Sequence, residues 1–203
     1  SNPNLSRPEY APVPTLTAPT DTTVIGQEAE NVMLGWKFDR AASLQQDTLN
    51  VIAEMLSNGK AGLFDLNLDQ KMQYLGGAAF VYPLAEYSSL IVEGLPKEGQ
   101  TLEQVRDLML GEIEKLKRGE FSDDLLPSVI NNMKLDAYKE MEDNDSRASK
   151  FVDAFINGQE WSDVVGRLDR ISHITKQQII DFANRHLLNN YVAVYKRQGV
   201  DST

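Results

Sequence analysis

The chain has 203 residues, a formal net charge of −10, 41% hydrophobic and 25% charged residues, and no cysteine. This composition is ordinary for a globular protein with a sizeable core, and the acidity disfavours nucleic acid because phosphate backbones are repelled. The lack of cysteine excludes disulfides and thiolate metal sites, and no apolar run approaches the roughly 20 residues of a membrane span.

Residues 1–21 are predicted to be a linker. Proline favours extended backbone, and five prolines fall among the first twenty residues: Pro3, Pro8, Pro12, Pro14 and Pro19. Ser1 and Asn2 have the form of a pair left by a cleaved expression tag, so a native targeting segment could precede them. The sequence therefore leaves both a periplasmic and a cytoplasmic location open.

Two strands and a helix are predicted next. Residues 22–25 are β-branched, and residues 32–38 alternate between apolar and other side chains, which is the period of a strand with one face on a core. Residues 44–56 carry an apolar stripe with helical spacing, and Asn58-Gly59 is a typical helix stop.

A turn and a hairpin are predicted to follow this helix. Leu63-Phe64 precedes a second short helical stretch, and residues 73–82 and 87–93 have the composition of paired strands. Gly76-Gly77 inside the first of them predicts either a bulge or a close backbone approach.

The second half of the chain is predicted to be helical, with a last strand at residues 191–196. Capping boxes begin at Thr101 and Thr175, and a break falls near Asn144. Strands followed by gathered helices indicate an α+β domain, with a mostly antiparallel sheet and helices packed on one face. The last strand has only the early sheet to join, so we expect one domain over residues 22–197 and a tail at 198–203.

Few residues offer metal or catalytic chemistry. The histidines, His173 and His186, are not followed by Glu-His in the arrangement H-x-x-E-H, so no zinc site is predicted in this chain. His186 lies late in a helix, where the dipole favours it for structural reasons. An acidic cluster at residues 140–145 could bind a hard cation, but its spacing is typical of a solvated helix end.

The order of these elements resembles the repeated domain of the pitrilysin/insulinase-type zinc metallopeptidases. The resemblance rests on the strand at residues 31–36, the helix and Leu-Phe turn within residues 44–75, the hairpin, the segment 119–125, and the closing Thr-capped helix and strand. It covers about residues 22–197. Since this chain cannot supply the family's H-x-x-E-H helix, the resemblance implies a non-catalytic domain, with zinc in a catalytic domain of the parent protein.

The resemblance also implies a substrate contact. Inactive domains of this family often present an arginine and a tyrosine, seven residues apart, to a peptide in the zinc site. Tyr74 lies at the tyrosine position, whereas Asn67 lies at the arginine position and cannot make the two-pronged contact of a guanidinium. A packed, purely structural role for Tyr74 stays open beside this one.

Two functions of different class follow. The first is a non-catalytic domain of a peptidase, which shapes a substrate chamber and helps to hold peptide. Its partner would be another pitrilysin-like domain of the same protein or of a partner subunit. The second is a purely structural or interaction module, because the family includes processing-peptidase and respiratory-complex core subunits without zinc activity. An H-x-x-E-H helix in the neighbouring sequence would favour the first.

Overall fold

The computed structural model describes residues 10–200, so the outer parts of the expected linker and tail, residues 1–9 and 201–203, lie outside the described residues. The strands are β1 (Thr20–Gly26), β2 (Asn31–Phe38), β3 (Gly76–Pro83), β4 (Ser88–Leu95) and β5 (Val192–Gln198). The α-helices are α1 (Gln45–Leu56), α2 (Leu102–Arg118), α3 (Leu125–Glu142), α4 (Asn144–Asn157), α5 (Trp161–Ser172) and α6 (Lys176–His186).

The five strands form one sheet in the order β1-β5-β2-β4-β3. All neighbouring pairs are antiparallel except β1 and β5, which run parallel. The last strand lies between β1 and β2, with Tyr195 opposite Val32. The predicted α+β class and the mostly antiparallel sheet are confirmed, and so is the position of the last strand in the early sheet.

The core lies between one face of the sheet and the helices. Alternate residues of β2 point into it and are at most 5% exposed: Val32, Leu34, Trp36 and Phe38. They pack with the apolar stripes of α1 and α2. Both predicted capping boxes are present, because Thr101 and Gln104, and likewise Thr175 and Gln178, satisfy each other's free backbone amides.

The predicted start of the hairpin is wrong by three residues. β3 begins at Gly76 rather than at residue 73. A short π-helical segment, Asp65–Asp69, precedes it, and the backbone amides that follow this segment still donate to carbonyl groups within it. The backbone amide of Gln73 donates to the carbonyl of Leu68 across 2.8 Å, and Met72 adopts a positive φ of 49°. Backbone groups used in this turn cannot enter the sheet ladder.

Within the described part of the chain, no helix has the length and apolar character needed to cross a membrane.

Candidate functional site

The loop between α1 and β3, residues 57–75, carries both residues that the resemblance singles out, and we call it the site loop. Its first half is organised around the carboxylate of Asp65, which is 4% exposed. The backbone amides of Asn58, Lys60 and Gly62 donate to this carboxylate at 2.8–3.0 Å, and the Ser57 hydroxyl donates at 3.1 Å. A buried carboxylate with four donors fixes the course of the loop.

Asn67 is half-buried and committed to neighbouring charges. Its amide nitrogen donates to Oε2 of Glu112 on α2 across 2.7 Å, and Lys115 pairs with Oε1 of the same carboxylate at 2.6 Å. The Lys71 ammonium donates to the side-chain oxygen Oδ1 of Asn67 at 3.2 Å. Glu112 is only 4% exposed, and the neutral amide of Asn67 helps to hold its carboxylate through a charge-assisted hydrogen bond.

Tyr74 lies inside the protein, with 2% of its surface exposed. Among residues 10–200, its hydroxyl has no partner at hydrogen-bonding geometry. Burial raises the pKa of the phenol, and the nearby carboxylate of Asp69 raises it further. The ring packs so closely on Gly77 that a Cβ there would lie 2.4 Å from the hydroxyl oxygen. The close backbone approach expected at Gly76-Gly77 is therefore present.

The structure brings the two predicted contact residues into one loop but gives them different surroundings. Asn67 is partly open to solvent, whereas the Tyr74 hydroxyl points into packed atoms. A bound peptide could reach the Tyr74 hydroxyl only after a local movement of the chain, because the side chain is buried. The role of both residues in substrate binding stays a prediction.

The histidines do not form a metal site. His173 follows α5 and its side chain is 75% exposed, with Nδ1 at 2.8 Å from the Asp169 carbonyl oxygen. His186 ends α6 and packs against the rings of Phe38 and Phe182, and burial lowers the pKa of its imidazole. Within residues 10–200, no group of three or more histidine or acidic side chains could hold a metal ion.

The acidic cluster at residues 140–145 serves the helix ends. Asp143 caps α4 by accepting from the backbone amide of Ser146 at 2.7 Å, and this hydrogen bond lowers the pKa of its carboxyl. Glu140 pairs with Lys150 on the next helix at 2.9 Å. The arrangement is that of a solvated helix junction.

The face of the sheet turned away from the core is a feature that the sequence reading missed. Its central row runs across four strands through Phe80, Ile91, Gly35 and Val192. Phe80 and Val192 are each 38% exposed, and a Cβ on Gly35 would meet no described atom within 4 Å. We call this the open sheet face. Apolar residues on both sides of β2 and β5 were the signal that could have revealed it.

Solved structures share this fold. A protease from Helicobacter pylori superimposes with a TM-score of 0.88 at 18% identity, over 96% of this chain and 48% of the other. The peptidase M16 inactive domain from Pseudomonas fluorescens superimposes with a TM-score of 0.79 at 12% identity, over 97% of this chain and 48% of the other. The inactive peptidase domain of a candidate zinc protease from Bordetella parapertussis superimposes with a TM-score of 0.74 at 14% identity, over 88% of this chain and 97% of the other.

The chain thus spans about half the length of the first two structures, at 48% of each. No family model matches the sequence, and no curated protein matches it. At these identities the likeness establishes the fold, which is that of peptidase M16 domains. The predicted resemblance to the repeated domain of pitrilysin-type peptidases is confirmed as a likeness of fold.

Proposed function

We propose that this chain is a non-catalytic domain of a zinc-dependent metalloendopeptidase, and that its open sheet face forms part of a substrate chamber wall. The observation that carries the proposal is the open sheet face on a fold shared with inactive peptidase domains. A sheet that buries one face under helices and leaves apolar residues on the other has surface available for a second body.

The chemistry of the open sheet face suits a peptide. Gly35 leaves a gap between Ile91 and Val192, so a bound chain can approach the backbone of β2 closely. Charged side chains of both signs flank the apolar row: Glu93 lies opposite Met33 on one side, and Lys37, whose ammonium donates to the Val13 carbonyl oxygen, lies opposite Ser89 on the other. Apolar side chains of a peptide would bind the row, and its polar groups would meet the flanks.

Zinc belongs to another domain in this proposal. Tetrahedral zinc sites need several converging histidine or carboxylate ligands, and the side chains of residues 10–200 do not provide such a group. The residues present do not fit the metal. The domain therefore contributes shape and binding surface, and hydrolysis is assigned to a partner domain that carries H-x-x-E-H.

A purely structural or interaction module is the second candidate, and two observations favour it. Asn67, for which the resemblance predicts the arginine position, is neutral, and its side-chain amide donates to Glu112. The hydroxyl of Tyr74 is buried. In this conformation the Asn67 side chain is already bonded at both its nitrogen and its oxygen, and the Tyr74 hydroxyl is buried.

The two candidates can be separated by lengthening the side chain at Gly35 in the full-length parent protein. Gly35→Leu adds a side chain to the open sheet face at a position where a Cβ meets no described atom within 4 Å, so the fold should persist. Gly111→Leu is the matched control, because a Cβ on Gly111 in α2 also meets open space, on the helical side of the domain.

We expect Gly35→Leu to reduce turnover of an unstructured peptide at least about fivefold, while Gly111→Leu retains it. Equal turnover in both variants would contradict a chamber role for the open sheet face. Chelator-sensitive cleavage by the isolated 203-residue chain would contradict the assignment of zinc to another domain.

A further inference from the structure

A concave surface lies on the helical side of the domain, away from the open sheet face. A cleft with a volume of about 840 Å³ opens between α1, α3, α4, α5 and the end of β3. Val81, Met141, Phe151, Trp161 and Leu168 form apolar parts of its wall. Its size lies within the range of about 300–1,000 Å³ that is typical of small-molecule sites.

The outer wall of the cleft is a pair of stacked aromatic rings. The rings of Phe151 on α4 and Trp161 on α5 lie 4.0 Å apart with an angle of 19° between their planes. Both side chains remain partly exposed, Phe151 at 56% and Trp161 at 41%. Flat rings with one face packed and the other accessible form a surface on which a narrow aliphatic chain can lie.

The inner end of the cleft carries positive charge. Asp47 on α1 is 8% exposed and accepts a hydrogen bond from Nε of Arg170 at 2.6 Å. Nε of Arg167 lies 3.7 Å from the other carboxylate oxygen, so two guanidinium groups face one carboxylate. Arg170 also donates to the carbonyl oxygen of Asp163 at 2.7 Å.

Of the two guanidinium groups at the inner end of the cleft, that of Arg167 is the more exposed to a ligand. Among residues 10–200 its guanidinium donates no hydrogen bond, and its side chain is 42% exposed. The cleft lining holds four basic and three acidic side chains, which is a positive balance in a chain of net charge −10. A guanidinium presents paired donors that match a carboxylate.

We propose that this cleft binds an amphiphilic carboxylate, with its aliphatic chain along Phe151, Trp161 and Leu168 and its carboxylate on Arg167. The apolar wall excludes ligands that are polar throughout, and the positive end disfavours amphiphilic cations. A neutral amphiphile of the same length loses the charged hydrogen bonds and binds more weakly.

The probes are dodecanoate and dodecanol, titrated into the full 203-residue chain below the concentration at which either aggregates. The chain has two tryptophans, and Trp36 is 2% exposed in the core, so Trp161 reports on the cleft. We expect a saturable change in tryptophan emission with dodecanoate, and an affinity for dodecanol about tenfold lower.

Two variants and one control test the assignment. Arg167→Gln should lower dodecanoate affinity about tenfold, to the level of dodecanol, and leave dodecanol unchanged. Ala137→Phe adds a ring to the cleft wall and should weaken both ligands. Arg118→Gln removes an arginine that pairs with Glu120 outside the cleft lining, and it should bind both probes like the unmodified chain.

Circular dichroism and thermal melting establish that each variant is folded before binding is compared. The proposal is overturned if dodecanoate gives no saturable signal, or if Arg167→Gln binds it as tightly as the unmodified chain does. It is also overturned if a short peptide with an apolar C-terminus and a free carboxylate binds at least as tightly as dodecanoate, since the cleft would then be a peptide site.

Discussion

Asn67 donates its side-chain amide to the carboxylate of Glu112 across 2.7 Å, and this bond ties the site loop to α2. Glu112 is 4% exposed and forms an ion pair with Lys115 at 2.6 Å. A buried carboxylate needs every such donor, because its desolvation is costly. Asn67, which the resemblance predicts as a substrate contact, is therefore bonded inside the domain in this structure.

We expect Asn67→Ala to lower the free energy of unfolding by about 1–3 kcal/mol, since one oxygen of a buried carboxylate loses its donor. Urea denaturation of the 203-residue chain measures this change. In a Glu112→Ala background the same substitution should cost much less, and the difference is the coupling between the two residues. Equal losses in both backgrounds would mean that the bond has no energetic role.

Much of the fold was predictable because its signals are local. The alternation over residues 32–38 and the two capping boxes each specify a strand or a helix end within a few residues, and the structure has them where they were expected. The start of β3 was missed because the π-helical bonds that consume residues 70–73 depend on a buried turn around Asp65, which has no periodic pattern.

The surroundings of the site were less predictable than the fold. The hydrogen bond from Asn67 joins residues 45 positions apart, and Gly77, against which the Tyr74 hydroxyl packs, lies beside the Glu93 carbonyl oxygen of β4. Contacts of this kind follow from the packing of distant elements. Apolar residues on both sides of β2 and β5 indicate a second apolar face, but its extent across four strands depends on the strand order, which single strands do not specify.

The buried hydroxyl of Tyr74 leads to a prediction about stability. Because that hydroxyl has no partner among the described residues, Tyr74→Phe should leave the free energy of unfolding unchanged or raise it by about 1 kcal/mol. Tyr195→Phe is the matched comparison, since its hydroxyl accepts from Arg106 at 2.8 Å, and we expect a loss of about 1–2 kcal/mol.

Denaturant melts of the two variants test this contrast, and a marked loss in Tyr74→Phe would show that the nearby carboxylate of Asp69 accepts a hydrogen bond from its hydroxyl. Turnover in the parent protein is a separate readout. If Tyr74 contacts substrate after a movement of residues 70–75, Tyr74→Phe should slow peptide cleavage without loss of stability.

His186 should make stability depend on mildly acidic pH. Burial lowers the pKa of its imidazole and the charge of Arg185 lowers it further, while the carboxylate of Asp39 acts in the opposite direction. The unfolded chain therefore binds the proton more tightly than the folded one. Stability is present while the imidazole is neutral in both states, and is lost as the pH falls below the ordinary value of about 6.5 towards the folded pKa.

We expect His186→Gln to flatten the fall in melting temperature between about pH 7 and pH 5, compared with the unmodified chain. His173→Gln is the control, because the side chain of His173 is 75% exposed beside α5, and it should preserve the slope. If both variants keep the full slope, the pH dependence arises from carboxyl groups and the burial of His186 is unimportant.

The adjacent glycines at the start of β3 should differ sharply in their tolerance of a methyl group. A Cβ on Gly77 would lie 2.4 Å from the Tyr74 hydroxyl oxygen and 2.6 Å from the carbonyl oxygen of Glu93, whereas one on Gly76 meets no described atom within 4 Å. Because the Glu93 carbonyl belongs to the neighbouring strand, a small rotation of the Tyr74 side chain cannot relieve the clash at Gly77.

We therefore expect Gly77→Ala to lower the free energy of unfolding by about 1–3 kcal/mol, in the range of overpacked core substitutions. Gly76→Ala should leave it within about 0.5 kcal/mol of the unmodified chain, since the new methyl group enters open space. Chemical denaturation of the two single variants provides the comparison, with Gly77→Ala also tested beside Tyr74→Phe. Removal of the hydroxyl should recover only part of the loss, because the Glu93 carbonyl oxygen remains; complete recovery would show that the strand backbone yields and that the tyrosine alone fixes the position of β3.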